Sequence, residues 1–151
     1  MPKEYSERFL QDKVIELFKK IGYKYLSPED AFKERGNDNG NIILKNILEN
    51  QMNKFNYFVC NDKKQKFSEE NIKKAVDDLD VPLINGYLTA NEKITEKILK
   101  GEGYKEKVGG KSESFNIRYI DFDNIENNAF HITEEFEVKR QNTEEKEKTR
   151  R

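Results

Sequence analysis

The chain has 151 residues, enough for one ordinary domain with its own core, and it is very polar, with 34% hydrophobic and 38% charged residues. Its 28 basic and 29 acidic residues leave a net charge of −1, so no overall field holds it on nucleic acid or an anionic membrane, and any such contact must come from a local patch. A single cysteine and a single histidine exclude a disulfide framework and a Cys/His zinc site, and no stretch is apolar enough to span a membrane or serve as a signal peptide, so a reducing cytoplasm is the expected setting.

The 10 Phe and 7 Tyr argue for a folded chain. The first predicted helix runs from Ser6 to Ile21, with Leu10, Val14, Leu17, Phe18 and Ile21 at helical spacing, Ser6 as N-cap and Gly22 as the stop. Ser27-Pro28-Glu29-Asp30 opens a short second helix to Arg35, and GNDNGN reads as a loop. A third helix is predicted from Asn41 to about Phe55, on a stripe of Ile43, Leu44, Ile47, Leu48, Met52 and Phe55. Ser68 opens a fourth, with Ile72, Ala75, Val76 and Leu79 inward. Thr89-Ala90-Asn91-Glu92 reads as a capping box for a fifth, carrying Ile94, Ile98 and Leu99 and ending at Gly101.

After Gly101 the apolar period changes from 3.6 to 2. Tyr104 to Val108 and Ser114 to Phe122 flank Gly109-Gly110-Lys111, a predicted hairpin with Phe115, Ile117 and Tyr119 on one face. A strand is predicted from Ala129 to Val138, with Phe130, Ile132, Phe136 and Val138 on one side and His131, Thr133, Glu135 and Glu137 on the other; Glu134 interrupts the apolar phase. The expected class is α+β (mixed α/β), a helical part over 5–100 followed by a β-rich part over 103–138, in one domain over 1–140. Residues 141–151, QNTEEKEKTRR, form a charged tail or exposed turn.

Several candidate sites fail on chemistry. YIDFDNIENNAF, residues 119 to 130, offers Asp121 and Asp123 as calcium ligands, but Ile125 stands where a ligand belongs, Glu126 where Gly is needed, and Ile132 at the twelfth position, so a turn is expected. His131 lies on a strand with no nucleophile turn in the chain and is read as structural, and GEGYKEKVGGK lacks the GK[ST] ending of a phosphate loop. Glu7 is different, because it falls on the wheel beside Val14 and Phe18. It reads either as a first-turn acid favoured by the helix dipole or as a carboxylate entering a site with Gln11 one turn later. Glu134 carries the same two readings, with a strand-end or edge position the expected one.

Three segments, SERFLQDKVIELFKKIGYKYL, LTANEKITEKILKGEGYK and above all IRYIDFDNIENNAFHITEEFEV, together resemble the amino-terminal part of the R subunit (HsdR) of type I restriction enzymes. The last carries the pattern Asp-Phe-x-Asn-x-x-x-Asn-x-Phe on Asp121, Phe122, Asn124, Asn128 and Phe130. The resemblance implies part of a PD-(D/E)xK-type nuclease domain, with Ser6 to Ile21 as its core helix and Ala129 to Val138 as its first core strand. In that family a strand bearing the metal-binding Asp follows, then one bearing Glu-x-Lys. Arg150-Arg151 match the arginine just before that Asp, so the chain is expected to stop short of the catalytic strands and not to cut DNA by itself.

Glu7 matches the acid that the core helix offers to such sites, which makes Glu7 the candidate metal ligand and Glu7 and Gln11 the candidate catalytic residues. Glu135 departs from the Gln often found there. The resemblance further implies a DNA-cleaving, ATP-dependent translocase as the parent, using Mg²⁺ and ATP, with DNA and the modification and specificity subunits as partners. No cofactor is expected on this chain alone, and self-association through an unpaired strand edge is. The competing reading is a non-enzymatic interaction module or a gene remnant.

Overall fold

The computed structural model describes residues 6–81 and 83–138. In order, the elements are α1 (Glu7–Lys20), β1 (Lys24–Leu26), α2 (Pro28–Glu34), α3 (Lys45–Phe55), β2 (Tyr57–Cys60), β3 (Lys63–Lys66), α4 (Glu69–Asp77), α5 (Gly86–Lys100), β4 (Glu102–Val108), β5 (Lys111–Ile117) and β6 (His131–Thr133). The fold is mixed α+β, with strands in three two-stranded sheets: β1 with β6 in parallel, β2 with β3 and β4 with β5 antiparallel. Among the described residues no helix is long and apolar enough to cross a membrane. The predicted tail over 141–151 lies outside the described residues, as do Arg150 and Arg151.

The chain divides into two compact units: Lys45–Ala129 forms one, and the flanking segments, up to Leu44 and from Phe130 on, form the other. In the flanking unit, Ser6 caps α1 by accepting the Phe9 N–H at 3.2 Å, and Ser27 caps α2 by accepting the Asp30 N–H at 3.1 Å, with Pro28 at the first helical position. The buried apolar side chains described in this unit are Ile15, Leu26 and Ala31. The expected stripe on α1 is real, but it faces solvent: Leu10, Val14, Leu17 and Ile21 are 56, 49, 58 and 64% exposed. Ile15 is the buried position, and Gln11 and Phe18 beside it are half-buried.

The inserted unit holds the larger core. Met52 and Phe55 of α3, Phe58 of β2, Phe67, Ile72, Ala75 and Val76 of α4, Leu79, Ala90 of α5, Tyr104 of β4, Ile117 of β5 and Tyr119 are all buried. Polar ties close it: Tyr119 donates to the Ala75 carbonyl at 2.8 Å, and Asn56 binds both the Arg118 N–H at 2.8 Å and the Arg118 carbonyl at 2.7 Å. Gly109 and Gly110, at φ +58° and +82°, make a two-residue turn of the kind that matches strand twist, so Lys111 belongs to β5 and pairs with Val108.

Boundaries differ from the sequence reading where side chains compete with the backbone ladder. α3 starts at Lys45 and not at Asn41, because the Asn41 carbonyl accepts from the Arg35 guanidinium while its side-chain amide donates to the Arg35 carbonyl and its backbone N–H to the Asp38 carbonyl. α5 starts at Gly86, which places Thr89 inside the helix and not at its cap. β5 ends at Ile117 and not at Phe122. β2 and β3 were not anticipated. The predicted strand Ala129 to Val138 is reduced to His131–Thr133, since Glu135 turns to φ +50° and the side chains of Glu134 and Glu135 are held by other elements.

Candidate functional site

The polar face of α1 meets the end of β6 within the flanking unit. The Glu134 carboxylate, its side chain 10% exposed, accepts from Arg8 Nη1 at 3.0 Å and from the Tyr25 hydroxyl at 2.8 Å. Arg8 also pairs with Asp12 at 3.1 Å. The bond to Glu134 raises the Tyr25 hydroxyl above its ordinary pKa, because removing that proton would set a phenolate against a carboxylate. One residue on, Gln11 Nε2 donates to Glu135 Oε1 at 3.2 Å. Glu134 therefore lies just past a strand end, as expected, and works as a shared acceptor for α1 and β1.

Gln11 and Glu7, paired as candidates from the sequence, are placed differently. Gln11 reaches β6's exit through Glu135, whereas the Glu7 side chain is exposed and has no hydrogen-bond or ion-pair partner among the described residues. Mg²⁺ takes several oxygen ligands, usually carboxylates with waters or phosphate oxygens. Among the described residues no group of three or more His, Cys, Asp or Glu side chains is placed to hold an ion. Glu7 is a single exposed carboxylate at the start of α1.

Arg35 is the residue that sequence reasoning missed. It is 2% exposed, at the end of α2, and its guanidinium donates to the carbonyls of Asn39 and Glu137 at 2.8 Å each and to that of Asn41. It also lies over the Phe136 ring, 4.1 Å from the centroid. One cation thus ties the GNDNGN loop and the segment leaving β6 to α2. A cleft of about 360 Å³ opens beside it, lined by Arg35, Phe136, Glu29, Glu134, Glu135 and Glu137 among others. With four carboxylates against one guanidinium whose donors are engaged, it is poorly suited to an anion. Loop composition was visible around Gly36; the convergence of carbonyls on Arg35 depends on a partner 102 residues away.

The YIDFDNIENNAF stretch is a closed turn. Asp121 is buried and accepts from Asn127 Nδ2 at 2.8 Å and from the N–H groups of Asp123 and Asn124 at 3.2 Å each, with Arg118 at 3.5 Å. The Asn127 bond foremost, with the two backbone donors and Arg118, holds its carboxyl below the ordinary range. Asn128 brackets the turn, donating to the Asp121 carbonyl at 2.8 Å and accepting the Asp121 N–H at 2.9 Å. Asp121 and Asn128 shape the turn; the Asn124 side chain makes no capping bond to the short turn that follows, and Asn127 donates to the Asp121 carboxylate. His131 lies in β6, opposite Lys24 of β1.

The family model described as "Type I restriction enzyme R protein N terminus" matches residues 4–151. No curated protein and no solved structure matches the chain.

Proposed function

The chain belongs to the family of type I restriction enzyme R protein N termini, and from that premise we propose that it forms the amino-terminal part of the DNA-cleaving, ATP-dependent translocase subunit of a cytoplasmic restriction-modification system. The observation that carries this reading is the match over residues 4–151. The parent would act on DNA with Mg²⁺ and ATP, alongside modification and specificity subunits. α1 serves in this reading as the core helix of a PD-(D/E)xK-type nuclease domain and β6 as its first core strand. Support comes from the tie between them: Arg8 and Gln11 on α1 hold Glu134 and Glu135 at the exit of β6.

Glu7 is the α1 acid proposed to reach the metal, supported by its freedom from any partner among the described residues. A single carboxylate supplies few of the oxygen ligands that Mg²⁺ takes, so the 151-residue chain incubated with Mg²⁺ and plasmid is expected to leave the DNA intact. The direct test is restriction by the full R subunit reconstituted with its modification and specificity subunits. ATP-dependent cleavage of unmodified DNA is expected, with Glu7→Ala lowering the rate about 10-fold or more, as for loss of one group acting in the transition state. No cleavage by the reconstituted complex would sink the reading. Full activity of Glu7→Ala would remove Glu7 alone.

A further inference from the structure

The first two turns of α1 carry no buried side chain. From Glu7 to Val14 only Gln11 is half-buried and the rest are exposed, while the buried Ile15 and half-buried Phe18, whose ring lies 4.9 Å from Tyr23, anchor the later turns. Two polar ties join the early turns to the exit of β6: Arg8 to Glu134 at 3.0 Å and Gln11 to Glu135 at 3.2 Å. Arg8 and Gln11 are three positions apart and therefore neighbours on one side of the helix. Glu135 makes its bond from φ +50°, a left-handed conformation that is costly for a residue with a Cβ.

Glu134 differs from the other paired acids of this unit. Its side chain is 10% exposed, whereas more than half of each of Asp12, Glu16 and Asp30 is exposed. Those three pair inside their own helices, with Arg8, Lys13 and Lys33, while Glu134 joins residues 126 positions apart. Both of its oxygens are engaged, Oε2 by Arg8 and Oε1 by the Tyr25 hydroxyl of β1. An exposed ion pair holds its partners loosely. The carboxylate that receives α1 is instead buried and fixed from a second strand.

We infer that Glu134 is a positioning residue for Glu7: through Arg8 it fixes the direction in which the first turn of α1 presents the Glu7 carboxylate. Glu7 stands eight residues before Ile15. At a rise of about 1.5 Å per residue that is about 12 Å, so a swing of the helix by about 5° about Ile15 displaces Glu7 by about 1 Å. A misplacement of that size at a reacting group costs up to about 100-fold in rate. Arg8 follows Glu7 directly in the chain, so its bond to Glu134 opposes the swing at the point where the displacement is largest. The inference rests on the reading of Glu7 as the α1 acid that reaches the metal.

The test is a double-mutant cycle read on DNA cleavage and ATP hydrolysis by the full R subunit reconstituted with its modification and specificity subunits. Glu134→Ala is expected to lower cleavage about 10-fold and to raise the Mg²⁺ concentration that gives half the maximal rate, with ATP hydrolysis unchanged. In the Glu7→Ala background the same change is expected to lower cleavage by less than about 2-fold, since no carboxylate remains to be positioned. Arg8→Ala, an exposed substitution that leaves Glu134 bonded to Tyr25, is expected to behave as Glu134→Ala does. Lys13→Gln, which breaks a pair inside α1, is expected to change nothing. Unaltered cleavage in both Glu134→Ala and Arg8→Ala, an equal fractional loss in the Glu7→Ala background, or ATP hydrolysis falling in step with cleavage in both variants would each overturn the inference and leave the restriction reading standing. No cleavage by the unaltered complex removes both.

Discussion

A buried carboxylate is costly unless its oxygens are well bonded, and Asp121 meets that condition with one side-chain and two backbone donors inside its own turn. Its folded pKa is lowered, so its contribution to stability is complete above the ordinary value of 3.8 and is lost as pH falls through the folded value. Asp121→Asn is accordingly expected to melt several degrees lower at pH 7 and to lose less stability than the parent chain between pH 5 and pH 2; thermal melts across that range check it, and an unchanged acid limb would count against it. The acceptor role of Asp121 was legible, because Asp and Asn in a polar run between apolar segments satisfy local backbone. Arg35 was not, since a cation that binds only carbonyls leaves no charged partner in the sequence to pair it with.

Elements were legible where caps and period agreed. Ser6, Ser27 and Ser68 each cap the helix expected of them. The β2–β3 hairpin escaped notice because Lys63–Lys66 has no apolar alternation and its turn, Asn61-Asp62, is a weaker signal than Asn-Gly. Both turn residues are left-handed, at φ +50° and +59°, a conformation costly for a residue with a Cβ. Asp62→Gly should therefore stabilise the chain by about 0.5–1 kcal/mol, and Phe58→Ala, which empties the space against Phe67 and Phe115, should cost about 3–5 kcal/mol. Urea denaturation measures both. The strand predicted over Ala129 to Val138 shows the opposite error: period 2 was present in the residues, but Arg8, Tyr25, Gln11 and Arg35 each hold the segment from Glu134 to Glu137 in another course.

For the molecule as a whole, helical periods followed by the change to period 2 after Gly101 correctly indicated mixed α+β. Periodicity identified an apolar stripe on α1 but carried no information about what covers it, and Leu10, Val14, Leu17 and Ile21 remain open to solvent. With three buried apolar side chains described in its own unit, that surface has little internal core to join. Self-association was expected from an unpaired strand edge; the exposed stripe is the stronger ground for it. Sedimentation velocity should show association that rises with concentration and is suppressed by Leu17→Glu, a solvent-facing change with little cost to the fold. A sharp monomer at every concentration would contradict it.

The parallel pairing of β1 with β6 also bears on the order in which the chain acquires structure. About a hundred residues separate the two strands, and since doubling a loop adds only about 0.6 kcal/mol, the equilibrium penalty is small. The kinetic effect is larger, because long-range pairing is slow. During synthesis Lys24 to Leu26 emerge early and must wait for His131, while every pairing of β2 with β3 and β4 with β5 closes inside Lys45–Ala129. The pairings inside the insertion do not wait for the flanking strands, so the unit holding α1 and Glu7 is expected to complete its sheet after the insertion has paired.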